Sequence, residues 1–357
     1  MNSTIFGATY TASLVIGVLL VVTEKWHGRL SMDGTDGVQK FHTAPTPRIG
    51  GVPVVLALVY ACTQVDSTTK VLLLPLLIAG FPAFLFGLAE DITKRVSVLA
   101  RLLATMASGV LGWWLTDYSL TRTGVWGLDW ALQWMPLSVL FTAFAVGGVA
   151  NSINIIDGFN GLASLASFIM LIGLGLVAMQ LGDTALFQLC LLLAAAVLGF
   201  FCINWPLGKL FMGDGGSYFV GFSLAWVAVL LVQRHTSVSP FACVLACIHP
   251  ITEVLYSIYR RRVRNQHPGL PDRLHFHSLF KRRYVSRWFR HWPVKQRNSC
   301  TGLAVGLMAL PSAVVLQFSY DSHLLAVTAC LCFILGYLAL YARMTRHSWI
   351  LLFKRPK

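Results

Sequence analysis

Charge is scarce in this chain. Only 12% of its 357 residues are Asp, Glu, Lys or Arg, where a soluble chain carries about 25%. The shortage excludes a large water-facing domain. Acid is the scarcer sign, with 14 Asp and Glu against 28 Lys and Arg and a net charge of +14. No CxxC pair occurs: the eight cysteines (Cys62, Cys190, Cys202, Cys243, Cys247, Cys300, Cys330 and Cys332) each lie in or beside an apolar run. They read as packing residues, so neither a disulfide framework nor a cysteine-bound metal is expected. The opening stretch MNSTIFGATYTASLVIGVLLVV lacks a basic head and a small-residue cleavage site. It reads as a retained helix rather than a removed leader. Internal repeats and low-complexity segments are lacking as well.

What the chain has is apolar sequence, 56% of it, with a mean hydropathy of +0.67. Many runs approach the roughly 20 residues that a membrane helix needs. The expectation is an all-α, polytopic integral membrane protein, a single bundle over residues 1–357. Spans are expected at 4–22, 49–65, 71–89, 98–116, 136–150, 161–180, 185–203, 217–233, 240–258, 300–319 and 324–342, eleven segments with ten left open. Lys and Arg collect in loops 23–48, 90–97, 204–216 and 259–299 and in the tail 343–357. The opposite loops hold only Lys70, Arg122 and Arg234. Basic loops stay in the cytoplasm, which puts the N-terminus outside and the C-terminus cytoplasmic. The excess charge then faces anionic lipid rather than nucleic acid. Trp126, Trp130 and Trp134, in loop 117–135, suit the membrane interface.

On this topology every unusual polar cluster falls on the cytoplasmic face, in loops 23–48, 90–97, 151–160, 204–216 and 259–299. A transporter places polar groups near mid-membrane, and the candidates for that are few: Arg101, His249 and Glu253. A one-sided ring suits an active site at the membrane surface, reached by a soluble substrate from the cytoplasm and by a lipid from the side. In KFHTAPTPRIGG, Lys40, His42 and Arg48 face an anionic ligand, unless the stretch is an ordinary basic juxtamembrane loop. Glu90 and Asp91 repel one another, which fits a bound cation or proton; a helix end neutralised by Lys94 and Arg95 is the alternative. Asn151, Asn154, Asp157 and Asn160 outnumber what a helix cap requires. Gly158 beside them allows a tight turn where backbone N–H groups meet a phosphate or base. Asp214, between Gly213 and Gly215, suits Mg2+, which takes one or two carboxylates plus phosphate oxygens and water; a plain helix N-cap is the alternative. Phe211 could stack on a base. In the basic loop 259–299, His275 and His277 share a side only in extended backbone. No cysteine completes a zinc set there, so phosphate contact is the better reading.

Five stretches taken together resemble the polyprenyl-phosphate N-acetylhexosamine-1-phosphate transferase family of integral membrane enzymes. HTAPTPRIGG is similar to the family's H-x-x-P-T-P-R-x-G-G, and GLAEDITKRVSVLARLL to its G-x-x-D-D followed by R-L-L. NSINIIDGFNGLA is similar to N-x-x-N-x-x-D-G-x-D-G-L-A, GFFCINWPLGKLFMGDGGS to the stretch ending F-M-G-D-x-G-S, and PDRLHFHSL to P-D-x-x-H-x-H-H-x-L. They occur in order between about Lys40 and Leu279. The last resembles the enzymes that begin O-antigen, enterobacterial common antigen or wall-polymer synthesis more than the muramyl-pentapeptide transferase.

The resemblance implies that a polyprenyl phosphate, undecaprenyl phosphate in bacteria, attacks the sugar-linked phosphate of a UDP-sugar such as UDP-GlcNAc, with UMP leaving. It implies a bacterial inner-membrane enzyme that needs Mg2+, with Mn2+ as the alternative ion, and leaves a homodimer open. Asp214 would bind the metal. Asp91 with Glu90 would orient the lipid phosphate, and Asp157 joins them as a catalytic carboxylate. Lys40, Gly158, Phe159, Asn160 and Phe211 would hold uridine. His275, His277 and nearby arginines would hold diphosphate or sugar, and His42, Arg48, Asn151, Asn154 and Asn204 complete the substrate contacts. Glu90, Asn160 and Ser278 depart from the family pattern. These departures leave an unusual donor, or an inactive paralogue acting as a scaffold, as alternatives beside the transporter.

Overall fold

The computed structural model describes residues 3–33, 45–265, 272 and 274–345. Lys40 and His42 lie outside the described residues. The apolar runs become helices because lipid offers backbone polar groups no partners except one another. In order they are α1 (Ser3–Val22), α2 (Glu24–Ser31), α3 (Gly51–Gln64), α4 (Ser67–Thr93), α5 (Val98–Thr116), α6 (Trp126–Ala131), α7 (Met135–Ile156), α8 (Leu162–Gln180), α9 (Thr184–Asn204) and α10 (Gly213–Arg234). The series continues with α11 (Pro240–Ala246), α12 (Ile248–Val263), α13 (Phe276–Phe280), a π-helical turn (Lys281–Val285), α14 (Ser286–Trp288), α15 (Val294–Gly306), α16 (Ala309–Ser319) and α17 (His323–Met344). Several starts carry the side-chain caps that satisfy first-turn N–H groups. Asp66 accepts from the N–H of Thr69 at 2.8 Å, Ser97 from Ala100 at 3.1 Å and Asp183 from Leu186 at 3.0 Å. Two strands, β1 (Met32–Asp33) and β2 (Thr46–Pro47), pair antiparallel.

Each expected span meets a helix. Among the described residues nine helices are long and apolar enough to cross a membrane, α15 and α16 counting as one. Two segments differ from a straight crossing. The run 49–65 gives the short helix α3, which at 1.5 Å per residue spans only about 20 Å. The run 240–258 is broken at Cys247 into α11 and α12, bent by 82°. Pro250 has no N–H for the carbonyl of Ala246 and its ring would clash there, so one helix cannot run through.

The bundle is built around α10, 94% of whose apolar window is buried inside the protein. A helix apolar on all sides is a core helix, and α3, α4, α5, α7, α8 and α9 all touch it. Small residues let the helices approach at its first turn. A Cβ on Gly87 of α4 would lie 2.6 Å from the Asp214 carbonyl carbon, and one on Gly51 of α3 would strike the backbone of Gly216. The start of α10 is thereby pinned against the end of α4 and the start of α3.

Candidate active site

Asp214 sits in the first turn of α10, just after Gly213, whose φ of +72° turns the chain into the helix. The residue is 5% exposed and its carboxylate is surrounded by donors. Arg48 Nη2 reaches Oδ1 at 3.0 Å and Asn154 Nδ2 reaches the same oxygen at 3.1 Å, while Arg101 Nη1 bonds Oδ2. Asn154 also donates to Ser217 Oγ at 2.8 Å. Asp91, in the last turn of α4, is fully buried. Its two oxygens accept the backbone N–H groups of Asp214 (3.0 Å) and Gly215 (2.9 Å), and Arg48 Nε stands 3.5 Å away. The positive end of α10 therefore already holds an anion, supplied by α4. Arg48 is fixed by backbone. Its N–H donates to Ser31 at 2.9 Å, and the strand beside it zips to the chain before α10 through Phe211 N–H to Pro47 O (2.8 Å) and Gly50 N–H to Phe211 O (2.9 Å).

Two further carboxylates border this knot. Glu90 Oε2 accepts the N–H of Val96 at 2.8 Å, closing the turn between α4 and α5, and its charge acts on Arg101. Asp157 follows the last residue of α7. Burial pushes its carboxyl up to about 7, against the Arg48 guanidinium and assisted by the Asp214 charge. Glu90, Asp91, Asp157 and Asp214 thus face Arg48 and Arg101, an acidic excess that fits a divalent cation better than a second basic group. The donor set fits Mg2+ in kind, carboxylate oxygen without nitrogen or sulfur. Among the described residues no three His, Cys, Asp or Glu are already grouped around a metal position, so phosphate and water would supply most of the shell.

A second group adjoins it. The Phe159 ring meets His277 edge-on (centroids 5.5 Å, 81°), and Lys281 Nζ lies 5.1 Å from the Phe159 ring centre. Gly158 has room for nothing larger, since a Cβ would stand 2.7 Å from His277 Nε2. His275 is the extended residue before α13 (ψ 147°). It stacks on His277 at 5.4 Å and 16° although His277 lies inside α13, so the bend from extended to helical backbone, not an extended run, brings the two rings together. Its Nδ1 lies 2.8 Å from Glu253 Oε1. Burial and the neighbouring His275 hold His277 down to about 3, so that ring is neutral. Burial and the charge of Arg297 hold Lys281 down to about 8. Much of the basic loop is occupied internally: Arg260, buried between Tyr256 and Tyr341, bonds Asp272, with Arg261 Nε at 3.5 Å.

The structure brings Arg48, Asp91, Asn154, Asp157 and Asp214 into one knot and Gly158, Phe159, His275 and His277 into the second. Three predicted contacts turn inward instead. Asn151 Nδ2 donates to Gly147 O of its own helix at 2.8 Å. Asn160 Nδ2 donates to Ser299 Oγ at 3.2 Å, against α15. Asn204 takes the N–H of Gly161 and gives to Leu210 O at 2.8 Å, bracing two loops. Phe211 is half-buried and serves the backbone zipper. Sequence reasoning missed the roles of Arg101 and Glu253. Both were visible as ionisable groups inside apolar runs, which require partners, but the partners lie 113 and 22 residues away.

Comparison with known proteins fits this geometry. Residues 73–232 match the model of glycosyl transferase family 4, a stretch that holds Asp91, Arg101, Asn154, Asp157 and Asp214 and ends before His275. The chain is 28% identical over 249 residues to an undecaprenyl-phosphate alpha-N-acetylglucosaminyl 1-phosphate transferase of Escherichia coli strain K12, covering 68% of the chain and 67% of that protein. It is 29% identical over 246 residues to a probable undecaprenyl-phosphate N-acetylglucosaminyl 1-phosphate transferase of Bacillus subtilis strain 168, covering 67% and 66%. Against an undecaprenyl-phosphate alpha-N-acetylglucosaminyl 1-phosphate transferase of Yersinia pestis it is 25% identical over 268 residues, covering 74% and 73%.

Proposed function

Because the chain belongs to glycosyl transferase family 4, we propose that it transfers an N-acetylhexosamine 1-phosphate from a UDP-sugar to polyprenyl phosphate, releasing UMP. The observation that carries this reading is the Asp214 knot, where carboxylates from α4 and α10 meet two arginines and Asn154 of α7 at one end of a membrane-spanning bundle. Both substrates are anions, so catalysis rests on positioning and on neutralising charge. Asp214, with Asp157 and Glu90 beside it, would hold Mg2+. When bound, that ion supplies the charge that lets two phosphates approach. Arg48 and Arg101, tied to Asp214, hold the metal carboxylate in place and add positive charge near the reacting phosphates. Asp91 acts through backbone: both its oxygens are engaged by α10, so it fixes the direction of Asp214 and leaves proton removal unneeded. A phosphomonoester has its second pKa near about 6 and is already a nucleophile at neutral pH. The Gly158–Phe159 turn with His277 receives the uridine diphosphate side.

The membrane topology follows. Helix α3, though short, begins beside Gly216 at the catalytic end and ends near the start of α4, where Thr69 meets Gln188 of α9. Counting α3 as a crossing and the bent α11–α12 pair as another gives eleven, with termini on opposite sides. The basic loops place the catalytic end in the cytoplasm and the N-terminus outside, in the inner membrane of a bacterium. The reading makes the chain the first membrane step of a cell-surface polysaccharide, with UDP-GlcNAc the first donor to try.

The test is UMP release by detergent-purified protein given undecaprenyl phosphate, Mg2+ and a panel of UDP-N-acetylhexosamines. Release with one sugar, dependent on lipid and Mg2+ and lost in Asp214→Asn, is expected. Absence of release with every donor from folded protein would overturn the reading.

A further inference from the structure

The bent helix α12 carries a buried carboxylate, Glu253, 1% exposed, that the proposed chemistry does not use. Its surroundings are specific. Oε1 lies 2.8 Å from His275 Nδ1, the N–H of Phe276 donates to Oε2 at 3.1 Å, and Tyr337 Oη donates to Oε2 at 2.8 Å. A buried carboxylate is tolerated only when its oxygens are this well supplied. The donors come from two separate places, the loop entering α13 and the closing helix α17. The entrance to the five-residue α13 engages both oxygens, and Oε2 is held in addition by a helix far along the chain. Because an ionised carboxylate only accepts, the proton of His275 on that side sits on Nδ1.

From His275 the contacts continue without a gap. Its ring stacks on His277, and His277 meets Phe159 edge-on. The same ring fills the space that a Cβ on Gly158 would need. Beyond Gly158 stands Asp157 of the first knot. One line of packed groups therefore joins Tyr337 of α17 to the turn proposed to receive the donor.

We infer that Glu253 is a positioning residue for the donor: by holding Nδ1 of His275, and itself held by Tyr337, it sets the His275–His277 stack and through it the Gly158–Phe159 turn that binds the UDP-sugar. The inference rests on the proposed transferase reading for the identity of the donor, and on geometry alone for the line of contact. Outer partners that orient a metal-binding histidine typically change affinity or activity by about 10–100-fold when removed, and the lower end of that range is expected for a histidine that acts by packing. Glu253 orients a histidine of the latter kind, and it gives the C-terminal helix a part in donor recognition.

The test uses the full-length protein in detergent, with steady-state kinetics and amide hydrogen exchange on each variant. Glu253→Gln keeps the shape but replaces one acceptor oxygen with a donor that faces Phe276 N–H or Tyr337 Oη. The KM for the UDP-sugar is expected to rise by about tenfold, with the KM for polyprenyl phosphate unchanged and Glu253→Asp intermediate. Equal change in both KM values, or in neither, overturns the inference, since a merely structural role would not separate the substrates. Hydrogen exchange is expected to quicken in 274–280 and also in 157–161; unchanged protection in 157–161 overturns the line of contact even if the wild-type protein releases no UMP. Should Glu253→Gln fail to fold, Tyr337→Phe removes one hydroxyl at the far side of the same carboxylate. It is expected to move the same KM by about three- to tenfold, and no movement overturns the inference.

Discussion

Asp91 accepts the backbone N–H of Asp214 at 3.0 Å and of Gly215 at 2.9 Å, so that one carboxylate, 123 residues earlier in the chain, aims the other. The pair meet at the end of α10, whose first N–H groups Asp91 engages. Asp91 neutralises the helix end, and Asp214 is left pointing at Arg48, Arg101 and Asn154.

Asp91→Asn should therefore weaken the protein as well as the reaction. The amide keeps one acceptor and presents a donor to an N–H. Loss of a charge-assisted bond of this kind costs about 1.5–3 kcal/mol. A lowered melting temperature in detergent together with at least tenfold slower UMP release is the expected result. An unchanged melting temperature with lost activity would show instead that Asp91 acts directly on substrate.

Arg101 and Asp214 should behave as a coupled pair. Breaking a buried pair from one side is strongly destabilising, by about 3–5 kcal/mol, whereas Arg101→Leu with Asp214→Asn removes both halves. Thermal unfolding of the two single variants and the double should give a coupling of about 0.5–3 kcal/mol. Simple additivity would mean that the two side chains do not meet in the folded protein.

Asp157 makes one contribution to the pH dependence. Its carboxyl is raised to about 7 in the folded protein, above the usual value near 3.9. Between those values the folded state binds the extra proton, so stability falls as pH rises from about 4 through about 7 and is level above that. UMP release should rise over the same upper range as the carboxylate forms. Asp157→Asn should flatten the fall in melting temperature across pH 4–7; a slope equal to wild type would remove Asp157 as its cause.

Gly158→Ala should displace the His277 ring, because the new methyl would stand 2.7 Å from its Nε2. Overpacking of this kind costs about 1–3 kcal/mol. His277→Ala in the same chain should relieve the crowding and restore the melting temperature, though not the activity. Failure of the double variant to recover stability would place the strain elsewhere.

The sequence by itself determined the class of protein, the helical segments and the residues worth watching. Hydrophobic runs of fixed length leave the backbone one way to satisfy its hydrogen bonds in lipid, so each expected span became helical, the run 240–258 as two helices. Asp, Asn and Gly at the ends of such runs could be singled out because lipid gives no reason to keep them. Tertiary structure decided which of these residues meet. Asn154 reaches Asp214, while Asn151, on the same helix, turns back to its own turn and Asn160 faces α15. That choice depends on helix rotation and close approach at Gly51 and Gly87, which no local pattern encodes. The break at Cys247 had a local cause in Pro250, but its consequence did not. Only the folded bundle, by bending α12 and setting α17 against it, brings Glu253 between His275 and Tyr337, because a buried charge takes its partners from whatever segments packing places around it.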